Sequence, residues 1–129
     1  MKEPRWVSRI VVDAVHFDQL REHGGLTGIR DEKALESALA RAHNKWAHNN
    51  KTDLAQLAAA YGFGLATSHP YRDGNKRIAF LTMLMFLGLN GHSLDASERE
   101  VVTTMLAVAG KKYSERQLAV WVRGHIVRG

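Results

Sequence analysis

The sequence predicts an all-α protein: one compact domain spanning residues 1–129, with about six helices packed around a buried central helix. Three observations carry that expectation. Apolar residues recur at the helical period along the chain, and no alternating run of strand length interrupts them. Only two prolines occur in 129 residues, Pro4 and Pro70, so almost the whole backbone is free to be helical. Apolar residues make up 45% of the chain and charged residues 24%, which supports one core and argues against disorder.

The first helix opens after Ser8, its cap. Val12, Val15, His16, Gln19, Leu20 and His23 share one face, and Gly24-Gly25 stops it. A loop from Leu26 to Arg30 leads to Asp31, the cap of a second helix. That helix turns Leu35, Ala38, Leu39 and Ala42 inward, and Glu32 complements the positive end of its dipole. The polar stretch His43 to Lys51 breaks the pattern and reads as a loop or irregular flap, where Trp46 either contacts a partner, if exposed, or packs against the domain.

Thr52 or Asp53 caps a third helix, striped by Leu54, Leu57, Ala58, Tyr61 and Leu65. Its Gly62 and Gly64 each cost about 1 kcal/mol against alanine, which predicts close approach of another helix. Pro70 disfavours helical backbone at His69 and ends the helix there. Lys76 to Asn90 forms the next helix, closed by Gly91. It is apolar nearly all round from Ile78 to Leu89, and is therefore expected at the centre of the fold. Ser97-x-x-Glu100 and Ser114-x-x-Gln117 are capping boxes that open the last two helices. The first carries Val101, Val102, Met105 and Val108. The second carries Leu118, Trp121, Val122, His125 and Ile126.

Composition also removes whole classes of function. There is no cysteine, which excludes disulfide scaffolds and thiolate metal sites. The segment Met1 to Trp6 lacks the apolar run of a secretory signal. The densest apolar stretch falls well short of the roughly 20 residues that span a bilayer, so a soluble cytoplasmic protein is expected. Eighteen Lys and Arg against 13 Asp and Glu give a net charge of +5, which favours nucleotide phosphates, nucleic acid or an acidic protein as partner. The sequence shows no interleaving of aromatic and basic residues that would argue for direct nucleic-acid binding.

The chemistry concentrates in His69-Pro70-Tyr71-Arg72-Asp73-Gly74-Asn75-Lys76-Arg77, which joins the third helix to the fourth. A helix N-terminus presents unpaired N–H groups and a positive dipole end, a ready phosphate site. Gly74 lets successive N–H groups form an anion nest. Arg77, one turn in, can clamp phosphate oxygens, and Asp73 is placed to hold Mg²⁺. His69 is suited to taking a proton from a hydroxyl near neutral pH. Lys76 and Arg77 oppose the helix dipole, which is unfavourable unless an anion sits nearby. These are the parts of a phosphoryl or nucleotidyl transferase.

The nine residues resemble the signature of the Fic/Doc superfamily, H-x-F-x-(D/E/N)-(G/A)-N-(G/K)-R. His23-Gly24-Gly25-Leu26-Thr27-Gly28-Ile29-Arg30-Asp31 is similar to a second segment of its death-on-curing branch, and the apolar helix ending in Asn90-Gly91 also matches. The resemblance implies His69 as general base, Asp73 as metal ligand, Gly74, Asn75 and Lys76 as the anion-binding turn, and Arg77 as a phosphate contact. Tyr71 replaces the usual phenylalanine, an aromatic plug, and its hydroxyl needs a partner or a solvent path.

AMP-transferring members usually carry glycine at the position of Lys76 and a second arginine at that of Phe80. The death-on-curing branch shares the Asn-Lys-Arg form. That resemblance implies a toxin that uses ATP and Mg²⁺ to phosphorylate a threonine of elongation factor Tu, stops translation, and is silenced by a cognate antitoxin. AMP transfer to a protein hydroxyl is the alternative activity, and a non-catalytic partner-binding module is the alternative outside enzymes.

Overall fold

The computed structural model describes residues 2–129 and contains α1 (Arg9–His23), α2 (Glu32–His48), α3 (Leu54–Ser68), α4 (Asn75–Leu89), β1 (His92–Leu94), α5 (Glu98–Ala109), α6 (Glu115–His125) and β2 (Ile126–Arg128). Five of the helices start on a side chain that accepts a first-turn N–H: Ser8, Asp31, Asp53, Ser97 and Ser114. Both expected capping boxes form, and Asp53 with Gln56 makes a third. Between Thr52 and Asp53 the cap is Asp53; the Thr52 hydroxyl instead donates to the Asn49 carbonyl at 2.6 Å.

The central helix is α3, not α4. It packs against α2, α4, α5 and α6, and its buried residues run from Ala55 through Ala66 on nearly every face. Small side chains explain this placement: a helix of alanine and glycine lets several neighbours approach its axis at once. A Cβ on Gly64 would lie 3.3 Å from the Ala38 backbone of α2, and one on Gly62 would lie 3.3 Å from Leu118 of α6 and inside the Met83 side chain of α4. The expected close approach at both glycines is therefore present. Helix α4 buries Ile78, Ala79, Thr82, Met83, Phe86 and Leu87 on one side, whereas Leu89 is exposed. Hydropathy alone overrated it, because large apolar side chains can also line a groove.

Two further expectations are corrected. The stretch from His43 is not a flap: α2 continues to His48, and of the two readings of Trp46 packing holds, since the ring is buried. Trp46 lies one turn beyond Ala42 and extends the stripe of Leu35, Ala38 and Ala42. The chain also contains two three-residue strands, β1 and β2, paired antiparallel with Ser93 opposite Val127. Three residues are too few to show alternation in a sequence.

Both ends of the motif loop are fixed to this frame. The N-terminal segment is tied down where Tyr61 Oη accepts the Val7 N–H, and where Asn90 pairs with both backbone groups of Arg5. Among the described residues, no helix is long and apolar enough to cross a membrane.

Candidate active site

The segment from His69 to Arg77 forms the turn between the end of α3 and the start of α4. His69 is the C-cap of α3, with φ 48° and ψ 56°, a left-handed conformation that costs a non-glycine residue energy. Its side chain is exposed. Gly74 caps α4 at φ 75°, where a side chain would be strained, and no side chain accepts the first-turn N–H groups of α4. The N–H groups of Asn75, Lys76 and Arg77 thus stand at an open, positive helix end. Lys76 and Arg77 are exposed and make no ion pair among the described residues.

Asn75 has a different task for its side chain. Oδ1 accepts the Tyr71 N–H at 3.0 Å and Nδ2 donates to the Tyr71 carbonyl at 2.9 Å, so both amide functions hold the turn. The backbone N–H of Asn75, at the open helix end, stays available to an anion. Asp73 is exposed; its Oδ2 accepts the Leu26 N–H at 3.0 Å, while Oδ1 has no protein partner among the described residues. One oxygen is used to orient the carboxylate and the other faces outward.

The Tyr71 hydroxyl has found its partner. The ring is buried and stacks on His16 at 3.6 Å, and Oη donates to Asp13 Oδ1 at 2.6 Å. Burial, reinforced by the Asp13 carboxylate, pushes the phenol well above its ordinary range, so it stays a neutral donor. Asp13 is also bound by Arg9 at 2.8 Å, and Arg9 reaches Glu32 and Glu36 of α2 at 2.6 Å each. The bond from Arg9 leads the causes that hold the Glu32 carboxyl below its usual range. His16 Nε2–H donates to the Asp73 carbonyl at 2.8 Å, which fixes the turn from the side of α1.

Arg30 is the principal residue that the sequence left without a role. Its guanidinium donates to the carbonyls of Ser68 and His69 at 2.7 Å each, closing the C-terminus of α3 and holding the backbone of His69. Its own N–H and that of Asp31 donate to the Pro70 carbonyl, and Arg72 N–H donates to the Gly28 carbonyl. Ile29 and Tyr71 form an isolated bridge. The loop from Gly24 to Asp31 is therefore a backing strip for the motif turn. These links span about 40 residues of sequence, and no local pattern announces them.

Beyond Lys76 and Arg77 a groove of about 780 Å³ runs between α4 and α5. Its walls are mostly apolar, including Phe80, Leu84, Val102 and Leu106, and His23 lies at its rim. The structure thus gathers an exposed imidazole, an oriented carboxylate and a helix N-terminus in one turn, whose two free cations, Lys76 and Arg77, line the groove.

An arrangement of this kind defines a class: the chain matches the Fic/DOC family over residues 6–87 and belongs to it. Among individual proteins it is similar to the protein kinase doc of Escherichia phage P1. The two are 31% identical over 107 residues, which is 83% of this chain and 85% of the phage protein.

Proposed function

We propose that this protein is a Doc-like toxin that transfers the γ-phosphate of ATP to a serine or threonine hydroxyl of a translation factor, with elongation factor Tu as the first target. The observation that carries this reading is the N-terminus of α4, where no side chain accepts the first-turn N–H groups, flanked by unpaired Lys76 and Arg77 and joined by a short turn to the exposed His69. Two cations against a helix dipole are unfavourable unless phosphate occupies the site. The similarity to a protein kinase supports phosphoryl transfer. So does Lys76, at a position where AMP-transferring members carry glycine.

In the reaction, His69 takes the proton from the acceptor hydroxyl as its oxygen attacks the γ-phosphorus. The bond to the β–γ bridging oxygen breaks, ADP leaves, and the proton passes from the imidazole to solvent. The N–H groups of Gly74, Asn75 and Lys76 with the Arg77 guanidinium stabilise charge on the phosphate oxygens. Asp73 fits a Mg²⁺ ligand, since Mg²⁺ commonly takes one or two carboxylates and completes its shell with phosphates and water. When bound, the ion neutralises phosphate charge.

A cytoplasmic setting follows from the substrates. A small cognate antitoxin completes the system, and the apolar groove beside Lys76 and Arg77 suits an amphipathic acidic segment of it. The deciding experiment offers purified elongation factor Tu and ATP labelled at either the γ or the α phosphate. Label from the γ position only is expected, and none with His69→Ala. Label from the α position would replace the kinase reading with AMP transfer. Growth inhibition that survives His69→Ala would favour a binding module without turnover.

A further inference from the structure

We infer that the face built along α6 is a docking surface for an acidic patch on the protein whose hydroxyl is modified. The inference rests on the phosphotransfer reading of the His69 site. Three shallow grooves lie side by side there. The first, of about 580 Å³, is bounded by Thr67 and Ser68 at the end of α3 and by the turn from Lys111 to Ser114. The second, of about 470 Å³, shares Tyr113 and Gln117 with the first and adds Arg116, Val120 and Trp121. The third, of about 690 Å³, shares Arg116 and Val120 with the second and continues to Arg41, Lys45 and Arg123.

Six cations line this face, with Glu115 as the one carboxylate among the lining residues. Counting also Asp53, which Arg123 holds at 3.0 Å, six cations stand against two carboxylates. That leaves here four of the chain's surplus of five positive charges. Arg41 and Lys45 are engaged by Glu115. Lys111, Lys112 and Arg116 make no ion pair among the described residues. Lys111 and Lys112 line the groove that Ser68 closes, and Ser68 is the residue before His69. The face therefore reaches to within one residue of His69 along the chain.

The charge asks for an anionic partner, and the aromatic groups choose among anionic partners. Single-stranded nucleic acid draws affinity from stacking on free aromatic faces. Here the Arg41 guanidinium covers the Phe63 ring at 5.4 Å, and Trp121 is stacked on His125 at 4.5 Å. What the face leaves open is Val120, 59% exposed, within a field of cations, with the half-buried Tyr113 as the one lining ring that has no stacking partner among the described residues. That combination fits a folded acidic protein surface with an apolar spot, for which complementary charge speeds encounter.

The test compares the full chain with K111E/K112E/R116E and with the neutral K111Q/K112Q/R116Q, each checked for an unchanged melting curve. In the elongation factor Tu assay the reversed variant is expected to raise KM for the protein tenfold or more, with kcat and KM for ATP unchanged. The neutral variant falls between, and added salt raises KM for the wild type but not for the reversed variant. An unchanged protein KM overturns the inference. Binding is read separately by fluorescence anisotropy with a labelled oligoglutamate peptide and with polyuridylate. Peptide binding that the reversed variant loses supports the docking face even if elongation factor Tu takes no phosphate, which would defeat only the choice of target. Tighter binding of polyuridylate overturns it in favour of RNA, and binding of neither overturns it outright.

Discussion

His69 is held in a left-handed conformation by groups that lie far from it in sequence, and Arg30 is foremost among them. Hydrogen bonds from a charged donor contribute about 1.5–3 kcal/mol, less when exposed, and Arg30 is exposed. Arg30→Ala is therefore expected to cost about 1–2 kcal/mol of stability. Because the freed backbone at His69 relaxes toward commoner φ values, the transfer rate should drop at least tenfold, with KM for ATP little changed. Arg30→Lys should restore little, since a point charge on a flexible stem cannot bind two neighbouring carbonyls as a planar fork does. Steady-state kinetics with thermal melts decides this: a rate that falls only as far as the folded fraction falls would reduce Arg30 to a structural cap. The same scale shows the limit of reading residues from a motif. Gly74 takes the left-handed conformation expected of a glycine there, but the Asn75 side chain is engaged by the Tyr71 backbone, which only coordinates reveal.

At the level of elements, the packing of α3 against α2 turns on Gly64. A Cβ there would meet the Cα, Cβ and carbonyl oxygen of Ala38 at 3.3–3.4 Å, and backbone cannot swing aside as a side chain can. Overpacking of this kind costs about 1–3 kcal/mol, against a helix-propensity gain near 1 kcal/mol. Gly64→Ala should thus lower the melting temperature by a few degrees. A higher melting temperature would mean that the two helices part without loss.

The contact between α5 and α6 supplies a pH-dependent element. His125 donates to the Trp121 carbonyl at 2.7 Å and meets Glu100 at 2.9 Å. The carbonyl first, and Glu100 after it, raise the imidazole pKa above 6.5. The Ser97 N–H first, and His125 after it, hold the Glu100 carboxyl below 4.5. The stability from His125 is full below pH 6.5 and is lost as pH rises through its raised value; that from Glu100 is present above pH 4.5 and is lost as pH falls through its lowered value. The melting-temperature advantage of the wild type over His125→Gln should accordingly shrink between pH 6 and pH 8.5. An advantage that is constant over that range would remove the titration.

Element boundaries were legible in the sequence where a local device writes them, as at Ser97, Ser114 and Asp31. They were illegible where tertiary packing decides. The polar residues around Trp46 hid a stripe that only tertiary packing makes continuous, and β1 and β2 exist because the C-terminal residues lie beside the segment that follows α4.

Across the whole molecule, the motif turn is bound from several sides: α1 through His16 and Asp13, the backing strip through Arg30 and Leu26, and α2 indirectly, through Glu32 on the Arg9 that holds Asp13. The sequence made the turn legible as a candidate phosphate site but not this web, because the bonds that tie the turn to α1, α2 and the backing strip join residues 23 to 58 apart in the chain. One consequence concerns ligand binding. A ligand that closes on the α4 N-terminus braces contacts from α1 to α4, so its binding energy should appear in global unfolding rather than in a local loop. Binding to the folded state alone stabilises by about 2.7 kcal/mol at a ligand concentration one hundredfold above Kd. For a domain of this size that corresponds to a rise in Tm of roughly 10 °C. Mg-ATP or a non-hydrolysable analogue should therefore raise the melting temperature in a saturable way, as a single transition followed by both circular dichroism and tryptophan fluorescence. Arg77→Ala should lose most of the shift, because it removes the clamp without touching the helix packing. His69→Ala should keep the shift, since in the proposed reaction the imidazole acts on the acceptor hydroxyl and not on the bound phosphate. A shift that is independent of Arg77, or transitions that separate between the two probes, would place nucleotide binding elsewhere than at the start of α4.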